Sequence, residues 1–440
     1  MRREVHISLL LAVSMLAVAG NECMAASADP TLMTMPQSHP TQNLPGVRLS
    51  AVFDESLVNS PRAATIRAQL GITKAAYAQA LTLPNPSFFF LEDTAQRARQ
   101  IGGSVPIEPP WKLAFRLLLA KAQIKQTDFE IERNLWQLRT TVRRAYLDVV
   151  MATETQEAFD DLRRLATEIM SVAQKRFAAD DVAALDVNRA ELASLQAEAD
   201  VKQSGRKMAQ AKQRLSVLMG RDYKDTIDVP RLPPFHLRAE THELLPNFSE
   251  ELPGLDSLVS EALKTRLDIK IIRQSIAVNE AQSRIAFGNI FPNPQLNAGS
   301  SYSGNPPDGP PTRGYFIGVT QEIPVLNFQQ GDRARLRAQK IQLNRELEST
   351  KNVVTEEVVS AYQQLVAARE RVGLFQEKIL PASENVARMA RRGYEVGQSD
   401  ITSTLAAQQS NVQTKAAYLE AVRSYQQALT DLEQAIGHPL

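Results

Sequence analysis

The chain is written twice. Leu83-Pro84-Asn85-Pro86 returns as Phe291-Pro292-Asn293-Pro294, Ala145-Tyr146 as Ala361-Tyr362, Arg176-Phe177 as Gly393-Tyr394, and Leu218-Met219-Gly220 as Ala435-Ile436-Gly437. The spacing between the copies changes by about eight residues in the loop region after the Pro-Asn-Pro motif, where length changes are tolerated. Whatever the first copy folds into, the second must approximate, so the 440 residues divide into two versions of one unit. The boundaries follow as a first repeat over 57–222, an irregular linker over 223–255 and a second repeat over 256–440.

Each copy reads helix, strand, strand, long helix, returning helix. In the first, a helix from about Pro61 to Thr82 stops at Pro84-Asn85-Pro86, because proline disfavours helical geometry before it and cannot donate within it. A strand is expected at Ser87–Leu91, and the polar, Pro/Gly-rich stretch Glu92–Pro110 reads as a loop. Trp111, Leu113, Phe115, Leu117 and Leu119 then alternate with Lys112, Ala114 and Arg116, which predicts a second strand. The second copy alternates Tyr315, Ile317 and Val319 with Gly318, Thr320 and Glu322, after a Ser303–Gly314 loop that holds Pro306, Pro307, Pro310 and Pro311.

Four strands with no others to pair with form a sheet with two open edges, which is unstable unless symmetry closes it. Three copies would close a twelve-stranded barrel, apolar outside and hydrated inside, with Lys112 and Arg116 as candidates for the lumen, since charge facing lipid costs about 2–4 kcal/mol at the midplane.

The rest is helical. Apolar residues recur every three, four or seven positions through Lys121–Arg176 and again through Asp332–Arg392, where Pro381 should kink the helix. Shorter helices with Leu185, Leu192 and Leu195, and with Leu405, Val412 and Leu419, return along them as antiparallel hairpins. The turns are expected at Ala178–Val182 and Glu395–Ser399, with Gly397 supplying backbone freedom. The fold class is thus mainly α with a small β portion. Hydrophobic residues reach 43% with only 6% aromatic, which suits long helices packed on one another.

Arg2 and Arg3 precede an apolar run, Ile7–Ala19, and an Ala26-Ser27-Ala28 site, so residues 1–28 read as a secretory signal and 29–56 as a mobile tail. Cys23, the one cysteine, would leave with the signal, taking disulfides, thiol metal sites and thiol nucleophiles with it. Five prolines make the linker irregular, a belt across the helices. A net charge of +1 gives no electrostatic case for nucleic acid. Of His6, His39, His236, His242 and His438, none lies on a long helix, and His242-Glu243-Leu244-Leu245-Pro246 has proline where a zinc-binding helix needs its second histidine. No phosphate-cradling or nucleophile-elbow motif occurs, so neither a cofactor, a metal nor enzymatic chemistry is expected.

The twin Pro-Asn-Pro stops, Gly318-Val319-Thr320-Gln321-Glu322-Ile323-Pro324 running into Gly331 and Arg333, and Arg392-Gly393-Tyr394-Glu395-Val396-Gly397 resemble the TolC family of outer-membrane efflux proteins over about residues 57–440. The resemblance implies a homotrimer with a β-barrel in the outer membrane and an α-barrel of long hairpins spanning the periplasm, working with a periplasmic adaptor and an inner-membrane pump. It also implies that adaptors dock at the hairpin tips, here Arg176, Phe177, Asp180, Tyr394 and Gly397. Asp186 matches a family aspartate near the narrowest opening, while Ser403 and Ala406 stand where the best-known member has paired aspartates; Asp186, Thr402 and Ser403 are the constriction candidates. Asp180 replaces a common turn glycine. The competing reading, a periplasmic coiled-coil adaptor or scaffold, would need a lipoyl-like region and a many-stranded domain, and neither is found.

Overall fold

The computed structural model describes residues 47–94, 98–225, 227–230, 232, 244–248, 251–303 and 312–439. The expected export signal with Cys23, the expected tail up to Gly46, His236, His242 and the four prolines from Pro306 to Pro311 lie outside the described residues.

The first described helix, α1 (Leu49–Asn59), corrects the reading of 29–56 as tail throughout. Leu49, Val52 and Phe53 recur at helical spacing, Leu49 and Val52 are buried in the main core, and the Val47 amide donates to the Asp228 carbonyl. The next helix, α2 (Pro61–Ala80), starts where a helix should: Ser60 accepts from the Arg62 amide and Pro61 occupies the first turn, where its missing N–H costs nothing. The Pro84-Asn85-Pro86 stop then leads into β1 (Ser87–Asp93).

The second strand is not where the alternation placed it. β2 is Ala98–Pro106, inside the stretch read as loop, and Trp111–Leu119 belong to α3 (Pro110–Ala178). Pro110 is a favourable first helical residue and Ala114 and Leu117–Ala120 are strong helix formers, so an accidental period of two lost to propensity over a long helix. Lys112 and Arg116 are therefore not strand residues facing a lumen. Lys112 Nζ donates to Asn293 Oδ1 (2.7 Å), and Arg116 pairs with Glu108 (2.6 Å).

After α4 (Ala184–Met219), the described part of the linker holds no helix or strand, and it crosses the helices as a belt with Ile227, Val229, Leu232 and Leu244 buried. The second copy follows: α5 (Leu255–Thr265), α6 (Leu267–Gly288), β3 (Gln295–Ser303), β4 (Thr312–Thr320), α7 (Gln330–Leu374), α8 (Leu380–Glu395) and α9 (Ile401–Ile436). Between α7 and α8, Phe375–Ile379 form a π-helical turn directly ahead of Pro381. The extra residue in that turn is how the helix absorbs the proline's missing donor. With 69 residues, α3 is about 100 Å long.

The four strands make one antiparallel sheet in the order β1-β2-β3-β4, so β1 and β4 are open edges. Cross-strand partners share a face, and the register gathers most of the large apolar residues on one side, with Leu91 on the other and Ser300 among them. One face carries Phe88, Phe90, Ile101, Val105, Leu296, Ala298, Tyr315, Ile317 and Val319. The other carries Ser87, Ser104, Asn297, Thr320, Gln295, Gln100 and Ser301, joined by Asn297–Thr320 (2.7 Å) and Ser104–Gln295 (3.2 Å) hydrogen bonds. On the apolar face the large side chains are in the open: Tyr315 is 94% and Ile317 78% exposed. The apolar rows end at Glu92, Arg99, Tyr302 and Arg313, where Glu92 pairs with Arg99 (2.8 Å) and Arg313 lies over the Tyr302 ring. Nine residues per strand in β2, β3 and β4 reach the length of a tilted transmembrane strand.

On the polar face, one row stands apart: Phe89, Gly102, Gly299 and Phe316. The two rings lean inward from the edge strands over the paired glycines until their centroids are 6.0 Å apart. A Cβ on Gly102 would sit 2.6 Å from Phe89 Cζ, and one on Gly299 would sit 2.3 Å from the Ile101 carbonyl oxygen. Glycine is therefore demanded by the packing here, which also hid β2 from its sequence.

Candidate functional site: the hairpin tips

Helix α3 ends in a turn that α8 repeats. The Asp181 amide donates back to the Arg176 carbonyl (2.9 Å), and the Gln398 amide donates back to the Gly393 carbonyl (2.7 Å). The residue that must turn left-handed is Asp180 (φ 55) in the first and Gly397 (φ 76) in the second. Aspartate accepts that conformation better than most L residues do, which explains how a turn expected to need glycine closes without one.

Arg176 ties the two turns together. Its Nε donates to Asp181 Oδ2 (2.6 Å), its Nη1 donates to the Tyr394 carbonyl (3.2 Å), and its guanidinium lies 5.1 Å from the Tyr394 ring centroid. The Asp181 hydrogen bond raises the guanidinium's already high pKa. Tyr394 is only 2% exposed, at the centre of a small core with Ile169, Ala173, Ala190 and Ile401. Burial pushes its phenol above the usual value, against an opposing effect of Arg176. Phe177, by contrast, is 45% exposed and is not part of this core.

The returning helices carry the second group of candidates. Asp186 lies in the first turn of α4 and pairs with Arg189 (3.6 Å), whose Nη1 donates to Thr402 Oγ1 of α9 (3.1 Å). Asp186 and Thr402 are thus brought to one place, on either side of Arg189. Ser403 is used differently: its amide donates to Asp400 Oδ1 (3.2 Å), capping α9, and its hydroxyl donates to the Asp400 carbonyl. These bonds hold the Asp400 carboxyl below its ordinary range. Arg391 reaches Glu168 (2.8 Å), joining α8 to α3.

Among the residues that shape this site, the sequence reading did not name Asp181, Arg189 and Asp400. Two had a signal. Arg189 lies three residues after Asp186, the spacing of a helical ion pair, and Asp400 stands where a helix N-cap belongs. Asp181 had none, because its partner is fixed by the turn.

Arg176→Ala is expected to loosen the tips. Charge-assisted hydrogen bonds are worth about 1.5–3 kcal/mol, and the exposure of Asp181 favours the low end, so cleavage by chymotrypsin after Phe177 should accelerate about tenfold, with Arg176→Lys intermediate. Limited proteolysis followed by mass spectrometry reads this directly.

Among the described residues no group of His, Cys, Asp and Glu could hold a metal ion, and no helix is long and apolar enough to cross a membrane. Comparisons with known proteins find outer-membrane relatives. Residues 258–438 match the family described as Outer membrane efflux protein. The chain is 22% identical over 381 residues to the cobalt-zinc-cadmium resistance protein CzcC of Cupriavidus metallidurans, covering 84% of this chain and 85% of that one. Its fold is shared with the CmeC outer membrane channel of Campylobacter jejuni (TM-score 0.68, 15% identity, 93% of this chain and 91% of that chain). It is shared equally with the outer membrane protein VceC of Vibrio cholerae (TM-score 0.67, 15% identity, 89% and 96%). The sheet with one bare apolar face and the long paired hairpins are the fold of these outer membrane channels, and over residues 258–438 the chain is similar to the family described as Outer membrane efflux protein.

Proposed function

We propose that three copies of this chain close into one conduit that passively conducts substrates, delivered by an inner-membrane pump and a periplasmic adaptor, across the periplasm and the outer membrane. The observation that carries the reading is the four-stranded sheet, with two open edges, one exposed apolar face and one polar face. Pairing β4 of each copy with β1 of the next gives every edge a partner and makes a twelve-stranded barrel with polar residues and the phenylalanine-glycine row inside. The hairpins form the periplasmic tunnel, and the residues around the Arg176–Tyr394 contact form the docking end for the adaptor. No step of catalysis is assigned to the chain. Trimers in outer-membrane fractions, resistant to SDS until boiled, are the expected result.

At the tunnel's closed end, Asp186 is offset by Arg189 within the same protomer. This is a weak cation filter, not a metal site. Asp186→Ala should lower cation preference in planar bilayers and Arg189→Ala should raise it, each by about threefold at low salt, where surface charge is least screened. Unchanged selectivity in both variants would place the pair away from the ion path. The name of CzcC speaks of cobalt, zinc and cadmium resistance. Growth of a deletion strain on those cations, set against growth on drugs, decides whether the same cargo passes here.

A further inference from the structure

One apolar cluster is left over when the strands are accounted for. It gathers at the end of the sheet opposite the charged row, around the second Pro-Asn-Pro turn. Three hydrogen bonds assemble it: the Ile107 amide donates to the Pro294 carbonyl (2.7 Å), Lys112 Nζ to Asn293 Oδ1 (2.7 Å) and Gln321 Nε2 to the Pro292 carbonyl (3.1 Å). These bonds bring the start of α3 and the segment after β4 to one rim. There Trp111, Phe291, Ile323, Val325 and Leu326 are all at least half exposed, Leu326 at 90%.

We infer that this rim, and the segment Ile323–Phe328 above all, lies in the inner leaflet of the outer membrane at the boundary between headgroups and acyl chains. Resting on the outer-membrane reading above, the inference adds to it a surface outside the strands. Continuity argues for lipid as the occupant: Val319 and Ile317 on β4 belong to the bare apolar face, and the segment follows that strand after Gln321 and Glu322. Composition argues the same way. Tryptophan and phenylalanine at the edge of an apolar band suit the interface between headgroups and acyl chains. The rim then anchors the base of the barrel and sets its height in the bilayer.

The chain offers its own probe, since Trp111 and Trp136 are its two tryptophans, and Trp136 lies about 37 Å further along α3. Trp136→Phe leaves Trp111 as the reporter, and Leu326→Trp with Trp111→Phe and Trp136→Phe reports the segment. Each variant is purified, its mass in detergent measured by light scattering, and the protein reconstituted in phosphatidylcholine vesicles brominated either near the headgroup or near the chain end. Bromine near the headgroup should quench both reporters more strongly than bromine near the chain end, as fits a depth of about 5–10 Å, and iodide should quench little. Quenching by iodide and not by either lipid would overturn the inference in favour of a water-exposed rim. Quenching by neither would overturn it in favour of cover by a neighbouring copy. The mass measurement reads trimer formation independently, so a failure of the conduit is distinguished from a failure of the rim.

Discussion

Gly299→Ala is expected to abolish the SDS-resistant trimer, while Gly318→Ala should leave it intact. At Gly299 an added Cβ meets the Ile101 carbonyl oxygen at 2.3 Å, the Gly102 Cα at 2.7 Å and Phe316 Cζ at 2.7 Å, and two of these are backbone atoms that cannot turn aside. At Gly318, on β4 one row along and on the same face, nothing lies within 4 Å. Overpacking of a filled site costs about 1–3 kcal/mol, and a closed trimer suffers it three times over. The sheet must either flatten or shed the two phenylalanines, and both change the curvature that closure needs. Gly102→Ala should behave like Gly299→Ala, for its Cβ would lie 2.7 Å from the Ala298 carbonyl oxygen. The fraction of trimer surviving SDS in outer-membrane preparations measures all three.

The second large effect lies in the helices. Glu433→Ala is expected to cost about 3–5 kcal/mol, because it strands the Arg143 guanidinium in the main core. Arg143 Nη1 donates to Glu433 Oε2 (2.6 Å) and Nη2 to Gln426 Oε1 (3.1 Å), with both charged residues 8% exposed. Gln426 Nε2 in turn donates to the Leu244 carbonyl (2.7 Å), so the network fastens the belt to α3 and α9. Replacing both members of the pair, Arg143→Met with Glu433→Leu, removes the buried charge along with its partner and should recover most of the loss. Thermal unfolding of the trimer followed by circular dichroism separates the two: a large drop in Tm for the single variant and a small one for the double. Equal drops would mean that volume and not charge decides the site.

These two sites also show what the sequence could and could not say. The long helices, both hairpin turns and a disturbance of the helix at Pro381 follow from local rules, since apolar spacing, glycine and proline act on their own neighbours; that the disturbance takes the form of a π turn does not. β2 did not, because Gly102, Gly103 and Ser104 carry no strand propensity: their place is set by Phe89 and Phe316 arriving from other strands. Trp111–Leu119 misled for the opposite reason, an alternation with no partner strand to give it meaning. At the tips, Arg176, Tyr394 and Gly397 lie together, and the sequence showed only half of what Arg189 does: its spacing from Asp186 signals an ion pair, but its bond to Thr402, 213 residues away, leaves no local mark. Lys112 and Arg116 were placed on a strand that is a helix, and so lost their expected place in the lumen.

The central claim, that β4 of one copy pairs with β1 of the next around a closed ring of three, is tested most directly by disulfide trapping. With Cys23 replaced by serine, single cysteines are introduced along β1, at Phe88 and Phe90, and combined with single cysteines along β4, at Tyr315, Ile317 and Val319. Oxidation of the trimer in membranes should link chains into covalent dimers and then covalent trimers for the register-matched pair, and leave mismatched pairs unlinked. A folded protein that stays monomeric in detergent and forms no interchain link at any of these pairs would contradict the account.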